Sequence, residues 1–186
     1  MTDQIDARTT LIAYLAEHTP AKWIGRTALM KYCYFLQALR DVPLGYNFSL
    51  YSYGPFDSTV LSDLGEAEAL GIIEETPMPS GYGYKIKNAL SDVDLQALAG
   101  QFLDEHRVDV DWVIQEFGSA STSDLELDST IIYVDREVME IGTRLSIEDL
   151  TSRVREVKPH FVENAIRKHV EALRDKALLL ALENYA

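Results

Sequence analysis

The sequence predicts a mostly helical α+β protein, and three observations carry that prediction. Apolar residues recur at i, i+3, i+4 and i+7 through most of the 186 residues, the spacing of a buried helix face. A short aromatic stretch, Phe48–Tyr53, and a Gly-rich stretch around Gly81 interrupt that rhythm with the composition of strands and tight turns. With 47% hydrophobic and 10% aromatic residues, the chain has enough apolar side chain to fill a core and does not read as disordered.

In chain order, Leu11, Ile12 and Leu15, with Tyr14 beside them, predict a first helix over about Ile5–Glu17, and Thr19-Pro20 breaks it. Leu29, Tyr32, Cys33, Leu36 and Leu39 form one stripe on a second helix, about Arg26–Leu39. Val42-Pro43-Leu44-Gly45 ends that helix, because proline cannot continue it and glycine tolerates the turn. Phe48–Tyr53 reads as a strand closed by Gly54-Pro55. Asp57 or Ser58 is the expected N-cap of a third helix, which buries Val60, Leu61, Leu64, Ala67 and Leu70 and ends at Gly71. Ile72-Ile73-Glu74 begins a strand, Pro77–Gly81 forms a loop, and Tyr82–Lys87 returns as the partner strand. Helix, helix, strand, helix, hairpin is the layout of a winged helix. Residues 1–90 are therefore read as a winged-helix-like domain with a small antiparallel sheet.

Residues 91–186 read as a helical region packed on that domain. Leu95, Leu98 and Phe102 mark one helix, and Val110, Val113, Ile114 and Phe117 the next. Residues 118–123 are small and polar, the expected place for a subdomain boundary. Leu127, Ile131, Val134, Val138 and Ile141 continue the helical period up to Gly142. Ser146 with Asp149 forms a capping box with Asp in place of the preferred Glu, and Ile147, Leu150, Val154 and Val157 line the helix it starts. Pro159 is placed at the start of a last helix, lined by Val162, Ile166, Val170, Leu173 and Ala177.

Composition narrows the function classes. The longest apolar run, Ala177–Leu182, is six residues, far below the roughly 20 that span a bilayer. The opening MTDQIDARTT has no apolar core of a signal peptide, so no membrane and a cytoplasmic location are expected. The single cysteine, Cys33, rules out an internal disulfide and a cysteine-based zinc site. The net charge of −13 is concentrated: residues 41–142 carry 20 acidic and four basic side chains, a surface that repels phosphate backbones and favours cationic protein partners.

Catalytic chemistry is not indicated. His18, His106, His160 and His169 are scattered, with no HExxH, GxSxG, P-loop or GxGxxG pattern. Asp104, Glu105, His106, Asp109 and Asp111 are close in sequence, but consecutive residues leave a helix on different faces. Gly81-Tyr82-Gly83 is a turn, since no helix start follows to offer amides to a phosphate. No enzyme activity, no cofactor and no metal are expected.

The Gly25–Phe56 block and the hairpin after it resemble a family. Leu29-Met30-Lys31, the continuation Tyr32, Tyr34, Phe35, Leu36, the corner Tyr51-Ser52-Tyr53-Gly54-Pro55-Phe56, and Leu70-Gly71-Ile72-Ile73 occur in that order. The combination is similar to the phage-associated winged-helix proteins that include the SocA-like antitoxins (the Panacea domain) and the related YwgA-type bacterial proteins. It covers about residues 5–90, and the pattern over 147–170 fits the YwgA type better. The resemblance implies a module acting through protein contacts, with some members neutralising toxins and one serving as a protease adaptor.

The functional reading is a non-enzymatic protein-interaction module, antitoxin-like or adaptor-like. Tyr46, Phe48, Tyr51, Tyr53, Phe56, Tyr82 and Tyr84 are expected in one small sheet, whose exposed face would offer Tyr51, Tyr53, Phe56, Tyr82 and Tyr84 to a protein partner. Asp63 and Glu66 on the neighbouring helix would select a cationic one. The second reading is a DNA-binding winged-helix regulator using Lys22, Arg26, Lys31, Lys85 and Lys87. A further basic set, Arg153, Arg155, Lys158, Arg167 and Lys168, reads as a solvated face, and a homo-oligomer is compatible with either reading.

Overall fold

The computed structural model describes residues 2–182. Helices predominate: α1 (Thr2–His18), α2 (Arg26–Arg40), α3 (Ser58–Ala69), α4 (Asp92–Phe117), α5 (Thr122–Glu140), α6 (Ile147–Val157) and α7 (Glu163–Asp175). Four short strands, β1 (Ser49–Tyr51), β2 (Gly54–Phe56), β3 (Ile73–Pro77) and β4 (Tyr84–Asn88), form two separate two-stranded sheets, β1–β2 and β3–β4. The chain is thus α+β with a helical majority. Among the described residues, no helix is long and apolar enough to cross a membrane.

The structure divides into two compact units. The first comprises the chain up to Ser49 together with Phe56–Thr122, and the second comprises Leu50–Pro55 together with the chain from Ser123 onward. The final passage between them falls inside the small polar stretch 118–123. The sequence division at residue 90 does not match this partition, because α4 packs along α1 and α2 in the first unit.

In the first unit the predicted stripes become the core. Leu11, Ile12 and Leu15 of α1 and Leu29, Cys33 and Leu36 of α2 are excluded from solvent. Phe35 stacks on Phe117 of α4 with ring centroids 4.0 Å apart. Asp57 caps α3, its carboxylate accepting the Thr59 amide at 2.8 Å. Strands β3 and β4 pair antiparallel with Glu74 opposite Lys87 and Thr76 opposite Lys85, and Ile24 bridges to Ile86 at their edge.

Several expectations fail here for physical reasons. The predicted pair of helices after residue 91 is present within α4, but the break falls at Gly100, where φ is +51°, so Phe102 belongs to the second segment, and Leu98 is exposed. Leu61 and Leu70 are exposed too, because α3 turns Val60, Asp63, Leu64 and Ala67 inward. The Phe48–Tyr53 strand is shorter than expected and reverses at Ser52-Tyr53 into β2, so the aromatics do not share one sheet.

The second unit is built from α5, α6, α7 and the Leu50–Pro55 turn. Ser146 caps α6, its hydroxyl accepting the Asp149 amide at 3.1 Å, as the sequence indicates. Pro159 does not start α7. It lies in the preceding loop, and Val162, 68% exposed, occupies the N-cap. Ala177, expected on the α7 stripe, is exposed beyond the helix end with φ +56°. Past α7 the chain turns at Lys176-Ala177; Leu145 and Leu182 form a parallel bridge, and the buried Asp135 carboxylate accepts the amides of Leu180 and Ala181.

Candidate protein-contact site

The Tyr-Gly-Pro corner is a hairpin fastened from beneath, all within the second unit. Gly54 has φ +86°, a conformation that side-chain-bearing residues rarely adopt. A Cβ there would lie 3.0 Å from Ser129 Oγ and 3.1 Å from Thr130 Oγ1 on α5. Those hydroxyls turn back onto their own helix, donating to the Glu126 carbonyl at 3.1 and 2.8 Å, so the glycine backbone meets a flat, satisfied surface.

Lys158, at the end of α6, closes the arrangement. Its side chain is 2% exposed, and its ammonium donates to the carbonyls of Tyr51 (3.3 Å) and Ser52 and to Glu126 Oε1 (2.9 Å). A lysine ammonium has three donors, and three acceptors meet it here. Glu126 is 9% exposed at its side chain and also lies 3.3 Å from His160 Nε2. An ion pair this enclosed persists only with its hydrogen bonds satisfied, so the lysine, the glutamate and the hairpin carbonyls hold one another in place.

What this scaffold presents is aromatic. Tyr51 is 67% and Tyr53 70% exposed, while the backbone between them is fixed. Phe56, at the base of β2, is half-buried. The hairpin tip has the two properties of a contact anchor: large apolar area in water and little freedom left to lose.

The other predicted residues lie in the first unit and divide among several roles. Tyr82 is 86% exposed at the β3–β4 turn, whereas Tyr84 lies under the Arg26 guanidinium, 4.0 Å from its ring centre. Glu66 is exposed on α3 as expected. Asp63 is not: it is buried, accepting the Tyr46 hydroxyl at 2.7 Å and facing Arg8 at 3.4 Å. Burial, reinforced by nearby Cys33 and Asp63, pushes the Tyr46 phenol far above its ordinary range. Asp63 therefore holds the core and is unavailable to a partner.

The basic set does not assemble into a phosphate-binding face. Lys31 is 2% exposed. Arg26 forms a two-pronged pair with Glu75 at 2.5 and 2.7 Å, and Lys22 pairs with Glu17 at 2.6 Å. Lys85 sits over the Trp23 ring, and Lys87 is exposed opposite Glu74. In the second unit, Lys158 departs furthest from the solvated face assigned to it. Nothing local in Val157-Lys158-Pro159 distinguishes it, since its acceptors come from residues far away in sequence.

The acidic stretch of α4 is dispersed into structural pairs. Asp109 meets Arg40 at 2.6 Å, Asp111 accepts the Tyr14 hydroxyl at 2.8 Å, and Glu105 accepts from Gln101. Burial, aided by Asp111, raises the Tyr14 phenol to about 12. Among the described residues, no three His, Cys, Asp or Glu side chains converge as metal ligands. Compared with known proteins, the chain matches no family model and no curated sequence.

Proposed function

We propose that this chain is a non-enzymatic protein-interaction module, antitoxin-like or adaptor-like, that engages its partner through Tyr51 and Tyr53. The observation that carries the reading is the clamped hairpin: two tyrosines about two-thirds exposed on a backbone gripped by a buried lysine. Exposed aromatic area has a hydration cost, and a rigid mount removes much of the entropy lost on binding. The order α1, α2, α3, β3–β4 in the first unit supports the winged-helix layout read from the sequence, and the resemblance to SocA-like and YwgA-type proteins points the same way. The acidity of residues 41–142 favours a cationic partner, and a cytoplasmic setting accompanies this reading.

A DNA-binding regulator is the second reading. The winged-helix order and exposed Lys87 favour it, while the committed Arg26 and Lys22 and the buried Lys31 weigh against it.

The test is affinity capture from the native host, with and without nuclease, using the wild-type chain and the Tyr51→Ala/Tyr53→Ala variant. A nuclease-resistant partner at near-equal stoichiometry, lost with the variant, is expected. Partners that vanish with nuclease, or capture indifferent to both tyrosines, would reject the proposal.

A further inference from the structure

A groove in the second unit deepens this reading by indicating what kind of partner surface the module accepts. The sequence assigns Ile141 and Val157 to buried helix stripes. In the structure they are 71% and 45% exposed, and they edge a groove of about 410 Å³ whose floor continues into Val134 and Val138. Val134, Val138 and Ile141 lie at i, i+4 and i+7 along α5 and its end, and Val157 faces them from the end of α6. Aliphatic side chains that follow a helix stripe out into water mark a surface shaped for another helix.

The rim says what that helix carries. Glu137, Glu140 and Glu156 border the groove, against one cation, Arg153. Glu140 and Glu156 are exposed, and neither forms an ion pair among the described residues. An apolar floor between unneutralised carboxylates complements an amphipathic helix with aliphatic residues on one face and lysine or arginine at its edges. We infer that the α5–α6 groove is a docking site for a cationic amphipathic helix of the protein partner.

A second copy of the chain is a poorer occupant. The apolar stripe of α6 is flanked by Glu148, Asp149 and Glu156 as well as by Arg153 and Arg155, and α5 would bring Glu137 and Glu140 to the same rim. Like charges would face one another across a symmetric contact.

The probe is a fluorescein-labelled helical peptide with leucine at i, i+3, i+4 and i+7 and lysine elsewhere, titrated with the full chain and read by anisotropy. An otherwise identical peptide with glutamate in place of lysine is the control. Saturable binding of the lysine peptide is expected, weakened at least tenfold by Ile141→Asp and by Val157→Asp. Glu140→Lys/Glu156→Lys is expected to weaken it similarly, and Asp104→Lys, at an exposed position of α4 in the first unit, to leave it unchanged. Circular dichroism checks that each variant retains its helix content, and Ile141→Ser serves if Ile141→Asp does not fold. Equal loss with Asp104→Lys would reduce the binding to general charge attraction and overturn the inference. So would indifference to the groove variants, or sedimentation showing wild-type self-association that Ile141→Asp abolishes. Because the Tyr51→Ala/Tyr53→Ala capture is read separately, failure of the groove is distinguishable from failure of the hairpin anchor.

Discussion

Replacing Lys158 by methionine isolates what holds the hairpin. The substitution keeps the length and apolar character of the side chain and removes only the ammonium. Glu126, 9% exposed, would then keep His160 at 3.3 Å as its neighbouring cationic candidate, and the Tyr51 and Ser52 carbonyls would lose a donor. Breaking a buried ion pair from one side costs about 3–5 kcal/mol, because the remaining charge stays desolvated. Glu126→Leu leaves the ammonium stranded in the same way. In Lys158→Met/Glu126→Leu no buried charge remains, so its loss is expected to fall short of the summed single losses by at least about 2 kcal/mol. Urea unfolding followed by far-UV circular dichroism measures all three. Both tryptophans, Trp23 and Trp112, lie in the first unit, so their fluorescence provides a separate readout there. A loss below about 1 kcal/mol for Lys158→Met, or a strictly additive cycle, would refute the clamp.

Gly54→Ala is expected to destabilise by about 1–3 kcal/mol, since it adds positive-φ strain to a 3.0 Å contact with Ser129; a melt indistinguishable from wild type would contradict the packing. His169, whose Nδ1 lies 2.7 Å from Asp128, has its pKa raised chiefly by that hydrogen bond. Its contribution to stability is fully present below the unfolded pKa of about 6.5 and is lost as pH rises through the higher folded value. The stability difference between wild type and His169→Phe should shrink across that window, as pH-resolved urea midpoints would show. Cys33 is fully buried and its thiol is pushed up by burial, so a thiol-reactive chromophore should label the chain only after unfolding.

Local signals were legible where burial and capping decide structure within a few residues. The stripe from Leu29 through Leu36 is buried as its spacing indicates, and Asp57 and Ser146 cap the helices they precede. Long-range chemistry was not legible. Asp63 reads as one acid on a polar helix face until Arg8, 55 residues earlier, and Tyr46 converge on it. Lys158 looks solvated for the same reason, because charge alone does not reveal an acceptor folded in from another part of the chain. Ile141 and Val157 show the converse: periodicity places them on apolar stripes, but the stripes outrun the helices that cover them. Tyr51, Tyr53 and Tyr82 are exposed, but the reversal at Ser52-Tyr53, which composition does not mark, keeps the β1–β2 hairpin apart from the β3–β4 sheet whose turn carries Tyr82.

The route of the chain has a consequence for taking this protein apart. Residues 50–55 cluster with the C-terminal helices although the segments before and after them belong to the first unit. No single cut yields two intact halves: a fragment beginning at Ser123 keeps Lys158 and Glu126 but loses the carbonyls to which Lys158 donates. During synthesis the hairpin emerges long before α5 and α6 exist to receive it. The hairpin's clamp must therefore wait until Lys158 has been made.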